Sequence, residues 1–406
     1  MISKVKVKEL MERQGISTFT ELAEKLGITK NQMSVMMSDG YNPYKARYVE
    51  LCRLLNASPT DIIEKETTLT PTYNESDVTA IELFAGAGGL ALGLEQAGIK
   101  TLEYVEFDKA CCETLKNNRP EWNVVCDDIH NVSFTEYRDK VDIVTGGFPC
   151  QAFSYAGKKL GFEDTRGTLF HEFARCIEEV HPKMFWAENV RGLVSHDHGR
   201  TLETILNVFT GLGYQVEYKV LNACYYGVGQ KRERIVIIGI RNDLVDDIKF
   251  EYPEPDKTWT TLRDALKDCP QSEGEAYSER KRKVMNLVPP GGCWIDLPEE
   301  IAKEYMGKSY YSGGGRRGMA RRISWDEPCL TLTTSPSQKQ TERCHPDETR
   351  PFTVREYARI QSFPDDWQFS GGMGDQYKQI GNAVPVELSR RVGVQLYKAI
   401  DDYKNN

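Results

Sequence analysis

The sequence predicts an α/β protein: a mostly parallel seven-stranded sheet with helices on both faces, an irregular lobe inserted late in it, and a small all-α unit in front. Three observations predict this. Strand-like apolar runs recur at 79–83, 101–106, 123–125, 141–145 and 184–187, with helical patterns such as 90–97 and 169–180 between them. Strand and helix in alternation is the pattern of a parallel sheet covered on both sides. Two further apolar runs, 217–221 and 235–240, bring the sheet to seven strands. The rhythm is absent at two places: residues 1–66 carry only helical patterns, and 255–350 is broken by Pro289-Pro-Gly-Gly292, Gly313-Gly-Gly315 and repeated Ser and Thr.

A chain of 406 residues implies two or three domains. The divisions expected are 1–66, a polar Thr-rich linker at 67–78, a large domain made of 79–254 and 351–406, and the lobe 255–350. With 40% hydrophobic and 28% charged residues the composition is globular. There is no run of about 18 apolar residues to span a bilayer. The start, Met1-Ile-Ser-Lys-Val-Lys-Val-Lys8, lacks the apolar core of a secretory leader. A cytoplasmic protein with no membrane partner is expected. The 11 cysteines are scattered without a Cys-x-x-Cys pair, which argues against a disulfide framework and against a bound metal. The net charge of −8 does not advertise nucleic-acid binding, but 280–345 holds 12 Lys+Arg against 7 Asp+Glu, a local +5 centred on Arg316, Arg317, Arg321 and Arg322. A basic lobe on an acidic protein suggests a phosphate-facing surface.

In the first unit, 18–28 reads as an amphipathic helix stopped by Gly27. Thr29 is placed to cap a second helix, 30–38. Two short helices around a Gly turn are the helix-turn-helix pattern, and further helical patterns follow at 45–55 and after Ser58-Pro59. The unit resembles the Cro and phage-repressor class of DNA-binding domains. That resemblance implies that Lys30, Asn31, Gln32 and Ser34 meet base edges in a major groove. Its charge is nearly balanced, 10 Lys+Arg against 9 Asp+Glu over 1–66. Binding by a homodimer is therefore expected.

After the first strand comes Phe84-Ala-Gly-Ala-Gly-Gly89, opening a helix. Glycines there allow close backbone approach to a cofactor. Glu106 ends the second strand, placed to accept from both ribose hydroxyls. Phe107 can stack on an adenine, and Asp128, closing the third strand, can accept from its amino group. Geometry alone leaves a nicotinamide or flavin nucleotide open, although G-x-G-G rather than G-x-G-x-x-G disfavours a pyrophosphate cradle.

Gly146-Gly-Phe-Pro-Cys-Gln-Ala-Phe-Ser154 follows the fourth strand. Ligands sit at the carboxyl ends of such strands. Pro149 and the glycines set Cys150 on a rigid turn, a poor place for a packing cysteine and a good one for a nucleophile. Glu188 ends the fifth strand on the same rim and can supply a proton. Arg232 and Arg234 alternate about Glu233, so both face one side of an extended chain, there to hold a polar ring edge or a phosphate, or to form a structural salt-bridge ladder.

This ordered set resembles the cytosine-5 DNA methyltransferase family over about 79–406. Its segments are Phe84 to Gly89, Glu106, Asp128, Gly147-Phe-Pro-Cys150, Asp164-Thr-Arg-Gly-Thr-Leu-Phe170, Glu188-Asn-Val190, Gln230 to Arg234, Arg350-Pro-Phe-Thr-Val-Arg-Glu356 with Gln361-Ser-Phe-Pro364, and Gly381-Asn-Ala-Val-Pro385. The resemblance implies a Rossmann-like S-adenosylmethionine-dependent domain. It implies cofactor contacts from Phe84, Gly86, Gly88, Gly89, Glu106, Phe107, Asp128, Ile129, Pro149, Leu169 and Asn382, and double-stranded DNA as substrate. By resemblance, Cys150 attacks carbon 6 of cytosine, Glu188 contacts N3 and the exocyclic amine, Arg234 holds O2, and Arg232 supports the same pocket. The cysteine cannot reach a stacked base, so the cytosine must be flipped out. Residues 151–161 then close over it, Gln151 and Ser154 touching DNA. Arg316 and Arg317 belong to the region that in this family reads the target sequence. The usual context is a restriction–modification system with a cognate endonuclease.

Two rivals follow from the same residues. An RNA substrate keeps the chemistry, and the basic lobe and helix-turn-helix weigh against it. A repressor with a vestigial enzyme lobe is the other, and the intact Pro149-Cys150 and Glu188 weigh against that. A combined role, methylation with residues 1–66 repressing transcription, accommodates both halves.

Overall fold

The computed structural model describes residues 4–37, 51, 54–56, 77–149, 169–311 and 318–405. The chain divides into two compact units, Met1–Thr70 and Pro71–Asn406.

The first unit contains α1 (Lys4–Arg13), α2 (Phe19–Lys25) and α3 (Lys30–Met36). Helix α1 was not anticipated, although Val7 and Met11 stand four residues apart and both are buried. The turn forms as its residues dictate. Thr18 Oγ1 caps α2, Gly27 adopts φ +63°, and Thr29 and Gln32 form a reciprocal capping box on α3. Val7, Met11, Leu22, Leu26, Met33 and Met36 pack a small core. The patterns expected at 45–55 and after Ser58 lie almost wholly outside the described residues, as do most of the linker's.

In the second unit the strands are β1 (Thr79–Leu83), β2 (Lys100–Glu106), β3 (Val124–Cys126), β4 (Ile143–Gly146), β5 (Met184–Val190), β6 (Tyr214–Asn222), β7 (Gln230–Lys231), β8 (Glu233–Arg241) and β9 (Cys329–Leu330). Seven of them form one sheet in the order β3-β2-β1-β4-β5-β8-β6. The first five are mutually parallel, and β8 runs antiparallel to β5 and β6. All seven expected strands are present, their ends displaced by three residues or fewer. The pair β7–β9 was not expected; two-residue strands carry no periodicity to read.

Helices α4 (Gly89–Gln96), α5 (Lys109–Asn118), α6 (Leu169–Val180), α7 (Gly192–Ser195) and α8 (Arg200–Gly211) connect these strands. The irregular lobe holds short helices α9 (Leu262–Ala265), α10 (Glu279–Met285) and α11 (Glu299–Met306). The chain ends in α12 (Val354–Ile360), α13 (Met373–Asn382) and α14 (Val386–Asn405). Leu388, Val392 and Leu396 of α14 share a core with Leu90 and Leu94 of α4. The last segment thus returns to the first helix of the sheet. The root of the lobe is not separate from the large domain: Leu262, Ile323, Cys329 and Leu332 pack with Tyr357, Tyr377 and Ile380 in one cluster. None of the described helices is long and apolar enough to cross a membrane.

One expectation about the lobe is corrected. Arg322, taken as part of a phosphate-facing cluster, is 4% exposed. Its guanidinium donates to the carbonyls of Met285, Val288, His345 and Pro346 and to Thr349 Oγ1, at 2.7 to 3.2 Å. Where the chain is irregular its carbonyls lack a strand ladder, and a buried arginine supplies the missing donors. Arg316 and Arg317 lie outside the described residues.

Candidate active site

Parallel strands bring their carboxyl ends to one rim, and the antiparallel β8 brings its amino end there, since Arg234 stands opposite Val190. Two clusters of functional side chains occupy that rim.

The first lies over β1, β2 and β3. Phe84 (φ +58°), Gly86 (+55°) and Gly88 (+84°) carry the chain through a turn that side chains disfavour. A Cβ built on Gly86 would meet nothing nearer than the Phe84 carbonyl at 3.9 Å, so the space above it is open. The rest of the loop is held from outside: Trp367 Nε1 donates to the Ala87 carbonyl at 3.1 Å, and a Cβ on Gly89 would strike the Val384 carbonyl at 2.2 Å. The Gly381-Asn-Ala-Val-Pro385 segment therefore packs on the glycine loop, with Asn382 exposed at its edge. Trp367 and Val384 carry no residue-level signal for this role; only the motif order hinted at it.

Glu106 is held in place by three backbone amides. Gly86 N donates to one oxygen at 2.7 Å, and Phe107 N and Asp108 N donate to the other at 2.9 and 2.7 Å. Burial raises its pKa, the three amides working against the rise. Phe107 is 72% exposed, an aromatic side chain largely open to solvent. Asp128 caps the turn Ile129–Asn131, with Ile129 buried beneath it. Pro149 is exposed, and Leu169 begins α6 half-buried.

The second cluster lies over β4, β5 and β8. Glu188 Oε1 pairs with Arg234 Nε at 2.7 Å, both side chains buried. A Cβ on Gly147 would lie 2.8 Å from Glu188 Oε2, so the carboxylate rests close against the strand-end backbone three residues before Cys150 and a larger residue there would push it aside. Asn189 Nδ2 donates to the Phe148 carbonyl at 2.8 Å and fixes that turn. Burial raises the Glu188 pKa against the pull of Arg234 and Arg232. Cys150, Gln151 and Ser154 fall outside the described residues.

Arg232 shares this neighbourhood but has a different task. It is 1% exposed. Its guanidinium donates to the carbonyls of Gly381 and Ala383 at 2.9 Å each and of Leu332 at 3.3 Å. These bonds go to backbone carbonyls, which is neither the grip on a ring edge or phosphate nor the salt-bridge ladder that the alternation suggested. Gln230 and Gln361, which open two of the motif segments but had no role assigned, complete this buried network: Gln230 Nε2 donates to Gln361 Oε1 at 3.0 Å, and Gln361 Nε2 to the Ile380 carbonyl at 2.8 Å.

In the first unit, Lys30, Asn31, Gln32 and Ser34 are all exposed on α3, although Gln32 Oε1 accepts from Thr29 N at 2.9 Å within the capping box.

Comparison with known proteins agrees with both units. Residues 6–67 match the Cro/C1-type helix-turn-helix DNA-binding domain. The chain is 55% identical to Type II methyltransferase M.Sau96I of Staphylococcus aureus, over 99% of each chain. It is 54% identical to M.Eco47II of Escherichia coli, over 95% of this chain and 96% of that one. Among solved structures, a putative DNA modification methyltransferase encoded within an E. coli prophage superposes with a TM-score of 0.58 at 24% identity, over 80% of this chain and 99% of that one. Spodoptera frugiperda DNMT2 superposes at 0.57 and 16%, over 79% and 99%; these two likenesses establish the fold. With residues 78–398 matching the C-5 cytosine-specific DNA methylases, the chain belongs to that family and is a DNA cytosine-5 methyltransferase of the restriction–modification type.

Proposed function

We propose that this enzyme transfers a methyl group from S-adenosylmethionine to carbon 5 of a cytosine flipped out of duplex DNA, through a covalent bond between Cys150 and carbon 6. The observation that carries the reading is the buried Glu188–Arg234 pair, 2.7 Å apart, seated on Gly147 just before Cys150.

The first cluster fits this cofactor in kind. Glu106 and Asp128 suit an adenosyl group with ribose hydroxyls and an amino group. Phe107 offers an exposed ring for the adenine, and the open face of Gly86 admits the methionyl part. When bound, S-adenosylmethionine supplies an electrophilic methyl group on a sulfonium.

The protein's own residues do the rest. Aromatic cytosine is a weak nucleophile at carbon 5. Addition of the Cys150 thiolate at carbon 6 breaks the aromaticity and makes carbon 5 enamine-like. The charge left on the ring is offset by a proton at N3, and Glu188, whose pKa burial raises, is suited to hold that proton. Arg234, fixed by Glu188, presents its remaining donors to the O2 edge. After carbon 5 has taken the methyl group, loss of its proton to water expels Cys150. Arg232 acts one step back, tying the Gly381–Ala383 carbonyls and the lobe at Leu332 to the strand that carries Arg234.

The test is a duplex with 5-fluorocytosine at the target position. Fluorine cannot leave as a proton does, so the wild-type enzyme should form an adduct stable to heat and SDS. Cys150→Ser should form none and should lose turnover by about 10⁴-fold or more, while still binding S-adenosylhomocysteine. Active enzyme without an adduct would overturn the covalent step.

A further inference from the structure

Asp128, the carboxylate at the adenine end, is not a free side chain. Its Oδ1 accepts from the His130 amide at 3.1 Å and faces His130 Nδ1 at 2.5 Å. Among the described residues no donor is recorded for Oδ2. Burial tends to raise the Asp128 pKa, but the His130 ring and amide outweigh it and the net shift is downward. An ionised carboxylate only accepts, so Nδ1 of His130 carries the hydrogen and the tautomer is fixed.

The other side of the ring is also placed. His130 Nε2 lies 4.0 Å from Glu172 Oε1 on α6. Glu172 is itself held by Arg175 Nε at 2.8 Å, and Arg175 Nη2 donates to the Ile129 carbonyl at 2.8 Å. One turn on, Glu179 accepts from Phe134 N at 2.7 Å and from Arg175 Nη1 at 2.8 Å. Glu172, Arg175 and Glu179 stand at helical spacing on one face of α6 and bind the 128–134 turn along its length.

From this geometry we infer that His130 is a positioning residue for the cofactor: its ring holds Asp128 Oδ1 and leaves Oδ2 turned to the exocyclic amine of the adenine. The inference rests on the adenosyl reading of this pocket. His130 does not touch the cofactor. It removes the rotational freedom of the Asp128 carboxylate before binding.

The test is direct binding by calorimetry to the full-length enzyme, with S-adenosylhomocysteine and with its inosine counterpart, in which a carbonyl replaces the amine. His130→Ala should weaken the adenosyl ligand roughly tenfold and leave the inosyl ligand unchanged. His130→Asn, which keeps a donor near the Nδ1 position, should restore most of the loss. Adding His130→Ala to Asp128→Ala should cost nothing more. Equal weakening of both ligands, or none, in His130→Ala would overturn the role of His130. If Asp128→Ala itself leaves the preference for adenosyl over inosyl ligand intact, the adenosyl reading falls, and the inference with it.

Discussion

Two buried arginines, one at the strand rim and one in the irregular lobe, do opposite work. Arg234 sits on β8, where the sheet ladder already satisfies the backbone. Its guanidinium gives one bond to the neighbouring Glu233 carbonyl, at 2.9 Å, and pairs with one carboxylate, Glu188, which leaves donors for the substrate role proposed above. Arg322 sits where the chain has no ladder, and five oxygens from both sides of the lobe consume it. The lobe's own apolar cluster is small, built on Tyr277, Met285, Val288, Leu297, Ala302, Ala320 and Cys344. Regular structure frees a charged side chain for chemistry, and irregular structure spends it on cohesion.

The largest expected effect separates the two. Arg322→Leu strands several buried carbonyls and should destabilise the enzyme by about 3–5 kcal/mol. Arg234→Leu leaves one strand-end carbonyl and one carboxylate, and Glu188 can take up a proton because burial has already raised its pKa. That variant should melt close to wild type yet turn over at least about 100-fold more slowly. Thermal melts beside methyl-transfer rates check both. A folded, inactive Arg322→Leu, or a collapsed Arg234→Leu, would dissolve the contrast.

Much of this was legible in the sequence, and the gaps have a common cause. Strands buried on both faces announce themselves as apolar runs, so β1 and β8 needed no partner to be found. Glu106 and Glu188 were readable because strand ends in a parallel sheet converge, and a carboxylate after an apolar run marks such an end. Arg322 was misread because a basic residue in a Gly- and Ser-rich stretch looks solvated. Only the carbonyls around it, from residues 285 to 346, show otherwise. Arg232 was ambiguous for a similar reason: its partners Leu332, Gly381 and Ala383 are about 100 to 150 positions away. Local pattern finds what local chemistry determines, and long-range backbone satisfaction is not local.

A smaller effect tests how far the sheet region tolerates an incompletely satisfied group of its own. Glu103 on β2 is buried, and its pKa is raised to about 7, by burial first, against hydrogen bonds from Tyr137 and Asn123. Tyr137 donates to Oε2 at 3.0 Å, while Oε1 has no hydrogen-bond partner among the described residues. In the unfolded chain the group ionises near 4.5, the ordinary value. Between the two values the folded state holds the extra proton, so stability falls as pH rises. The favourable contribution is complete below about 4.5 and is lost by about 7 to 8, a change of roughly 3 kcal/mol. Glu103→Gln should flatten that part of the profile and be the more stable protein at pH 8. Denaturant midpoints across pH 4 to 8 check it, and an unchanged slope in the variant would assign the pH dependence elsewhere.

The smallest expected effect on methylation comes from removing the first unit altogether. Residues 1–66 close their own core on Val7, Leu22, Leu26 and Met33, and the unit divides from the rest near Thr70. Every family segment lies within 78–398, including the lobe, so the larger unit contains what target recognition and chemistry require. Truncation should leave the methylated sequence and the turnover rate within about twofold of wild type. What it should remove is binding to a separate, operator-like site, because α3 presents Lys30, Asn31 and Ser34 to solvent in the place a recognition helix reads a major groove. The near balance of charge, 10 Lys+Arg against 9 Asp+Glu, keeps the affinity of a single copy low, so a palindromic site and a homodimer are expected. Bisulfite mapping of the truncated enzyme, beside gel shifts of the full and the truncated chain on its own promoter, reads both halves of the prediction. A changed methylation sequence after truncation would place residues 1–66 in the target-reading machinery. An unchanged gel shift would place operator binding in the larger unit instead.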